Sequence, residues 1–346
     1  MKKLTLTMVA LAAGMLAGTA IAQTAAQPPK AEPSMQKVLD AMASLKPKPI
    51  ETLSPEEARK QPSAADAVKK VLQDAGQSTA PEPGVTMKTQ TVQGKGGSFP
   101  VHIFTPEGKG PFPVIVYYHG GGFVIADTKV YEASVRALAK GAKAIVVSAD
   151  YRLAPQHKFP TQPEDAFAAY KWAIENARQF NGDPARVAVA GESAGGNLAT
   201  VVSMMARDQK AQLPLHQLLV YPVVDNDMNN ASYKKNANAK PLNKAMMGWF
   251  FKHYGADPKS PYALPLKATS LKGLPPATVI TAEIDPLMTE GKAYADRLKK
   301  EGVTVNYRHF TGVTHEFFGM GAVVPKAKEA QQFAADELTK AFNAKR

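Results

Sequence analysis

The sequence Gly-Glu-Ser-Ala-Gly-Gly-Asn at residues 191–197 stands between the apolar run 187–190 and a helix-like stretch that ends near Ala206. A Gly-X-Ser-X-Gly pattern at such a junction is typical of the sharp turn that exposes a serine above a buried strand. Glycines at 191 and 195 remove side chains where that turn crowds the backbone. The same pattern also occurs in ordinary turns, so the prediction that Ser193 is a nucleophile depends on partners elsewhere in the chain.

A glycine loop upstream supplies one such partner. The sequence His-Gly-Gly-Gly at 119–122 follows the strand-like run 113–118. Amide N–H groups in a glycine-lined bend can donate to the oxyanion of a tetrahedral intermediate without a Cβ blocking the approach. The expected donors are Gly121, Gly122 and Ala194, with Gly120 as a further candidate. Three glycines alone equally indicate a flexible turn, and the 191–197 stretch favours the oxyanion loop.

A serine hydroxyl needs a base and an orienting carboxylate, which follow in the order Ser, Asp, His in this kind of fold. Asp285 comes directly after the apolar, strand-like run 277–282. His315 follows the next predicted strand, 303–310, and completes the order. Asp285 before a proline also fits a simple turn, and a lone loop histidine is often only solvent-exposed.

Taken together, these residues resemble the hormone-sensitive-lipase-like branch of the α/β-hydrolases, in particular its bacterial esterases. The motifs that carry the resemblance span most of the chain. They are Thr-Leu-Ser-Pro-Glu-Glu-Ala-Arg at 52–59, the 119–122 loop, Asp-Tyr-Arg-Leu-Ala-Pro at 150–155, the 191–197 stretch, Asp-Pro-Leu at 285–287, and His315 with Phe317.

The resemblance implies a serine carboxylesterase that hydrolyses short-chain carboxylic esters through an acyl-enzyme. It assigns Ser193 as nucleophile, Asp285 as orienting acid and His315 as base, and it needs no cofactor. The partner it implies is a small-molecule ester. Two alternatives stay open at this point: an amidase or peptidase on the same triad, and a non-catalytic small-molecule receptor on the same fold.

Five positions depart from the pattern of that branch. Gln156 and Glu316 stand where Glu and Gly are usual, Glu192 stands where many members have Asp, and Met288 and Thr289 replace Arg and Asp. None removes a catalytic group, so the departures bear on substrate preference and stability more than on the type of reaction.

The order of helix-like and strand-like stretches predicts an α/β fold with a mostly parallel central sheet, helices on both faces and a helical cap. Helix signals precede the first convincing strand, so they lie outside the alternating core. The predicted division is a signal peptide over 1–22, a flexible tether over 23–32, cap helices within 33–80, a catalytic core over 81–225 and 257–346, and a second cap segment over 226–256. The aromatic group near the end of that last segment indicates cap packing more than an acyl pocket.

The N-terminus predicts export. Lys2 and Lys3 precede an apolar run, and Ala-Ile-Ala at 20–22 forms a cleavage site, so we expect a signal peptide cut after Ala22 and a periplasmic or secreted protein. An uncleaved anchor is the competing interpretation, but the run is short for a membrane span. We therefore expect no stable membrane insertion after cleavage. The absence of cysteine excludes disulfides, a cysteine nucleophile and a lipid-modified N-terminal cysteine.

The net charge of +12 raises the question of nucleic acid or membrane partners. The lysines are dispersed and no nucleic-acid motif is present, so a solvated surface is the prediction, with weak attraction to anionic substrates or envelope components left open. The seven histidines show no zinc-ligand spacing, and the glycine loop lacks the Gly-Lys-Ser/Thr ending of a phosphate loop. We expect neither a metal nor another cofactor.

Overall fold

A mixed eight-stranded sheet forms the centre of the computed structural model, which describes residue 1 and residues 29–344. The strands are β1 (Val85–Gly94), β2 (Gly97–Pro106), β3 (Phe112–Tyr118), β4 (Ile145–Ala149), β5 (Gly182–Glu192), β6 (Gln217–Val220), β7 (Ala277–Ile284) and β8 (Val305–Thr314). Their order in the sheet is β1-β2-β4-β3-β5-β6-β7-β8. Strand β2 is antiparallel to both β1 and β4, and the other neighbours are parallel.

The helices explain why the central strands are apolar throughout. They are α1 (Pro33–Ser44), α2 (Pro55–Ala58), α3 (Ala64–Asp74), α4 (Glu132–Gly141), α5 (Thr161–Asn176), α6 (Ala194–Asp208), α7 (Ala231–Lys235), α8 (Lys244–Tyr254), α9 (Met288–Lys300) and α10 (Pro325–Asn343). Helices α5, α6 and α9 pack in one apolar layer, and α4 and α10 pack in the other. Strands covered on both faces are buried at nearly every position, as β3, β4 and β6 are. The predicted α/β fold is confirmed.

Three element boundaries differ from the sequence-based expectation. Strand β8 continues to Thr314 instead of ending at Phe310, so His315 lies directly at the strand end. The apolar run 217–224 predicts one strand, but β6 ends at Val220 because Tyr221 takes a positive φ of 36°, which turns the chain out of the sheet. The stretch 163–180 predicts one helix, which the structure divides into α5 and a 3₁₀ turn, Ala177–Phe180.

Helix α2 begins with a capping box, as its sequence Ser-Pro-Glu-Glu at 54–57 predicts. The Ser54 hydroxyl accepts from the Glu57 amide at 3.3 Å, and the Glu57 carboxylate accepts from the Ser54 amide at 3.0 Å. Pro55 fills the first helical position, where its missing N–H costs nothing. Reciprocal capping holds this four-residue helix, which is too short to be stable alone.

Arg59 then ties the N-terminal segment to the core. Its guanidinium donates to the carbonyl of Val124 at 2.8 Å, to the carbonyl of Ala154 at 2.8 Å and to the side chain of Gln156 at 2.8 Å. Gln156 in turn donates to Glu56. The departure at 156 therefore keeps an acceptor for Arg59 and adds a donor for Glu56, which a glutamate does not provide.

Apart from residue 1, the predicted signal peptide lies outside the described residues, as does most of the predicted tether. Within residues 29–344, no helix combines the length and apolarity that crossing a bilayer requires.

Candidate active site

Ser193 stands at the junction of β5 and α6 in a strained backbone conformation, with φ 56° and ψ −118°. The turn leaves no room for side chains at its glycines. A Cβ on Gly191 would lie 2.1 Å from the Gly195 carbonyl oxygen, and a Cβ on Gly195 would lie 1.9 Å from the carbonyl oxygen of Tyr118. The Gly-X-Ser-X-Gly pattern is therefore a steric requirement here.

The structure brings together the three residues that the sequence predicts as a triad. The Oγ of Ser193 lies 3.0 Å from Nε2 of His315, and Nδ1 of His315 lies 2.8 Å from Oδ2 of Asp285. The residues follow β5, β8 and β7, whose carboxyl ends meet at one edge of the sheet. All three side chains are buried, with relative exposures of 5%, 2% and 0% for Ser193, His315 and Asp285.

Asp285 is held so that one oxygen faces the imidazole. Its Oδ1 accepts from the amide of Leu287 at 2.8 Å, and its backbone carbonyl accepts from the Asn236 side chain at 3.0 Å. The Asp-Pro sequence thus forms the turn that this dipeptide predicts. The same turn holds the Asp285 carboxylate in its orientation toward His315. Because an ionised carboxylate only accepts, Nδ1 of His315 carries the proton, and Nε2 is left to accept from the serine hydroxyl.

The charge environment of His315 favours its protonated form. Burial by itself lowers the pKa of His315, but the carboxylate of Asp285 opposes this through charge and hydrogen bonding, and the pKa ends above its ordinary value. Nearby Glu316 and Glu192 act in the same direction. An imidazole of this kind accepts a proton readily at neutral pH.

The loop 119–122 lies beside Ser193. Gly121 and Gly122 take positive φ values of 92° and 59°, and within the described residues their N–H groups donate to no other atom. The Gly121 carbonyl accepts from the amides of Val124 and Ile125, both at 3.0 Å, which closes the loop into a tight turn. Ala194 opens α6, and the N–H of a first helical residue has no partner inside the helix. These amides are therefore free to donate to a bound group, which is one condition for oxyanion donors.

Gly120 occupies a different place in this loop. Gly121 and Gly122 line the cavity above Ser193, whereas Gly120 is not among the lining residues. Its carbonyl oxygen lies 2.7 Å from Nδ1 of His119, whose ring stacks on Tyr151 at 4.4 Å between centroids. This contact braces the loop from behind.

A cavity of about 410 Å³ opens over the hydroxyl of Ser193. Its walls come from both the N-terminal helices and the 226–256 segment, and most of them are apolar: Leu39, Met42, Ile50, Ile125, Val130, Val223, Leu242, Met246, Met247 and Phe250. Phe250 reaches the glycine loop, since a Cβ on Gly122 would lie 2.2 Å from its ring. Of the aromatic group at 249–254, Phe250 thus lines the cavity, while Trp249 donates to the Leu53 carbonyl at 3.1 Å.

Sequence reasoning missed a buried acid–tyrosine cluster beneath the triad. The carboxylate of Glu192 accepts from the hydroxyls of Tyr117 and Tyr221, and burial raises its pKa to about 7. The ring of Tyr221 lies 4.4 Å from that of His315. Tyr117 is the next-to-last residue of β3 and Tyr221 directly follows β6, the two strands that flank β5 in the sheet. A tyrosine at the carboxyl end of each strand beside β5 is the signal in the sequence that points to them. Among the described residues, no cluster of three or more ligating side chains is arranged to hold a metal.

A serine hydroxyl, an imidazole and a buried carboxylate in hydrogen-bond sequence, on a sheet of this order, define an α/β-hydrolase of the serine type. A family model described as the alpha/beta hydrolase fold matches residues 115–319. The chain belongs to this family, in its hormone-sensitive-lipase-like branch.

The named relatives are ester hydrolases, and with the family they confirm the predicted enzyme class, a serine hydrolase acting on carboxylic ester bonds. The carboxylesterase NlhH of Mycobacterium tuberculosis is 39% identical over 276 residues, which cover 77% of this chain and 86% of that protein. An ethyl acetate hydrolase of Pseudomonas putida is 32% identical over 297 residues, covering 84% and 91%. The solved structure of a thermostable esterase from Pseudomonas putida matches with a TM-score of 0.82 at 36% identity, over 92% of this chain and 99% of that one.

Proposed function

We propose that this protein is a serine carboxylesterase that hydrolyses short-chain carboxylic esters through an acyl-enzyme on Ser193. The observation that carries the proposal is the hydrogen-bond sequence Ser193–His315–Asp285, at 3.0 and 2.8 Å, at the floor of a cavity that also exposes free amides. The names of the relatives support ester hydrolysis as the reaction class.

In the first half of the reaction, the Oγ of Ser193 attacks the ester carbonyl carbon while Nε2 of His315 takes its proton. The carbonyl oxygen becomes negative and accepts from the amides of Gly121, Gly122 and Ala194. Each such donor typically contributes about 3 kcal/mol to transition-state stabilisation. The N-terminus of α6 adds a partial positive charge at the same place.

The first half ends when the imidazolium gives its proton to the leaving alcohol as the bond between the carbonyl carbon and the alcohol oxygen breaks, which leaves the acyl-enzyme. Water then attacks the acyl-enzyme, His315 accepts a proton from it, and the acid leaves as Ser193 regains its hydroxyl proton. Asp285 keeps its charge throughout and stabilises the imidazolium.

The size and lining of the cavity support short acyl chains. A volume of about 410 Å³ is near the lower end of the usual range for ligand pockets, and its walls are mostly apolar, with Lys46, Lys48, Arg59 and Lys240 as the cationic residues among them. The name of the ethyl acetate hydrolase relative points the same way.

The test is steady-state hydrolysis of nitrophenyl esters from acetate to decanoate, beside the matched acyl anilides and the Ser193→Ala variant. We expect the highest kcat/KM for the short esters, slow or no anilide cleavage, and loss of turnover in the variant. Retained turnover in Ser193→Ala refutes the mechanism. Faster anilide than ester cleavage identifies an amidase, and no turnover of any ester supports the receptor alternative.

We also propose that the protein is exported and cut after Ala22, on the strength of the basic start, the apolar run and the Ala-Ile-Ala sequence at 20–22. N-terminal sequencing of the protein from the periplasmic fraction and from the medium tests this. A chain that keeps residues 1–22 in the membrane fraction identifies an uncleaved anchor instead.

A further inference from the structure

Glu316, directly after His315, has a backbone conformation that glycine adopts more readily. Its φ of 69° and ψ of 0° lie in the left-handed region, which is uncommon for residues with a Cβ. A glutamate in this conformation is less stable than a glycine. A strained backbone at this position suggests that the side chain of Glu316 has a functional role.

The side chain of Glu316 connects two loops of the site. Its Oε1 accepts from the hydroxyl of Tyr131 at 2.7 Å. That hydroxyl also lies against Gly120, since a Cβ built on Gly120 would come within 2.2 Å of it. Tyr131 itself is buried, with a relative exposure of 3%, and directly precedes α4. The loop of the base is therefore joined, through one tyrosine, to the loop that carries the free amides.

We infer that Glu316 is a positioning residue for the proposed ester hydrolysis: through Tyr131 it fixes the loop of His315 against the glycine loop 119–122, and so holds the base at its distance from the oxyanion donors. This inference rests on the proposed function. Glu316 also lines the cavity, and burial raises the pKa of its carboxyl, while the charge of His315 and the hydrogen bond from Tyr131 oppose that rise.

The charge of Glu316 gives the inference a second, independent readout. His315 is faced by Asp285 after β7, by Glu192 at the end of β5, by the ring of Tyr221 after β6 and by Glu316 in its own loop. Burial lowers the pKa of His315 and these carboxylates raise it. Removing the charge of Glu316 therefore lowers the pKa of His315. The acid limb of kcat/KM, which reports the pKa of the catalytic base in the free enzyme, then moves to lower pH.

The experiment compares Glu316→Gly, Glu316→Gln, Tyr131→Phe and the double variant Tyr131→Phe/Glu316→Gly in the full-length protein. Glycine removes the side chain and relieves the backbone, so the fold is retained, whereas glutamine keeps an acceptor for Tyr131 and loses only the charge. Lys210→Gly is the matched control, because Lys210 is exposed, follows the end of α6 opposite to Ser193 and has a similar φ of 54°.

We expect kcat to fall roughly 10- to 100-fold in Glu316→Gly and in Tyr131→Phe, the scale of a displaced catalytic group, with KM changing far less. The double variant loses no more kcat than the less active of the two single variants, because both changes break the same connection. Glu316→Gln retains most of kcat and shifts the acid limb to lower pH. Lys210→Gly is unchanged.

An unchanged kcat in Glu316→Gly, or losses that multiply in the double variant, overturns the inference. If Glu316→Gly melts at a lower temperature, the isosteric Tyr131→Phe decides: full activity there also overturns it. The Ser193→Ala variant distinguishes a failure of this inference from a failure of the proposed esterase function. Activity in Ser193→Ala refutes the esterase mechanism itself, whereas an inactive Ser193→Ala beside a fully active Glu316→Gly refutes only the role of Glu316.

Discussion

The backbone strain at Ser193 predicts that glycine at this position makes the protein more stable while abolishing turnover. The conformation, φ 56° and ψ −118°, is one that side chains with a Cβ disfavour. The informative comparison is Ser193→Gly against Ser193→Ala. Both lose the hydroxyl and its 3.0 Å contact with His315, so only the Cβ differs between them.

The magnitude follows from two opposing contributions. A residue in so sparsely populated a conformation costs about 1–3 kcal/mol, which glycine avoids. Glycine loses more chain entropy on folding, which costs about 0.5–1 kcal/mol relative to alanine. The difference is about 1 kcal/mol in favour of Ser193→Gly, which corresponds to a rise in Tm of about 2 °C in a chain of this size.

The assay is the free energy of unfolding from denaturant titration, with Tm from calorimetry as a second measure. Ala168→Gly provides the control, since Ala168 lies inside α5 and has an ordinary helical backbone. There glycine lowers stability by about 1 kcal/mol. If Ser193→Gly is less stable than Ser193→Ala by a similar amount, the turn stores no strain and the reasoning is refuted.

Three further variants test the electrostatics and the loop geometry. Asp285→Asn removes the charge that raises the pKa of His315, so kcat falls by a factor of about 10⁴ and the remaining acid limb moves to lower pH in a pH–rate profile. Glu192 has a pKa of about 7 when folded against an ordinary value of 4.5, so the folded chain keeps a proton that the unfolded chain releases, and stability falls as pH rises between these values. In Glu192→Gln this pH dependence of the free energy of unfolding, up to about 3 kcal/mol, disappears from denaturant titrations at pH 5 and 8. If the difference between the two pH values is the same as in the wild type, the raised pKa does not belong to Glu192. Gly122→Ala places a Cβ 2.2 Å from Phe250, so kcat falls roughly 100-fold in ester assays, and a wild-type kcat contradicts the role of this loop.

The sequence predicted the parts of the site that depend on local chemistry. The turn at Ser193 needs glycine on both sides because backbone atoms lie about where a Cβ would be, so the requirement is visible as a pattern. Asp285 and His315 were found because each follows a strand, and parallel strands bring their carboxyl ends to one edge. The alternation that gave the α/β fold is likewise a local signal, read from apolar runs and caps.

The remaining contacts join residues that no local pattern relates. Tyr131 and Glu316 are hydrogen-bonded across 185 positions of the chain, and Tyr117 and Glu192 across 75. Tyr221 could not be placed from periodicity, since its left-handed backbone ends a strand within an apolar run that otherwise predicts continuation to 224. Only the folded sheet shows that Glu192 is buried between two tyrosines.

The distribution of backbone strain connects these observations. Among the described residues, three of the nine that have a Cβ and a positive φ do not line the cavity or border the triad: Lys143, Asn181 and Lys210. The other six lie in the segments that surround the triad or the cavity: Lys46, Phe123, Ala126, Ser193, Tyr221 and Glu316. Strain of this kind persists only where the surrounding contacts over-determine the backbone. The sheet edge therefore holds the reactive groups in place against the local preference of the chain, and relieving the strain at Ser193 or Glu316 separates stability from activity.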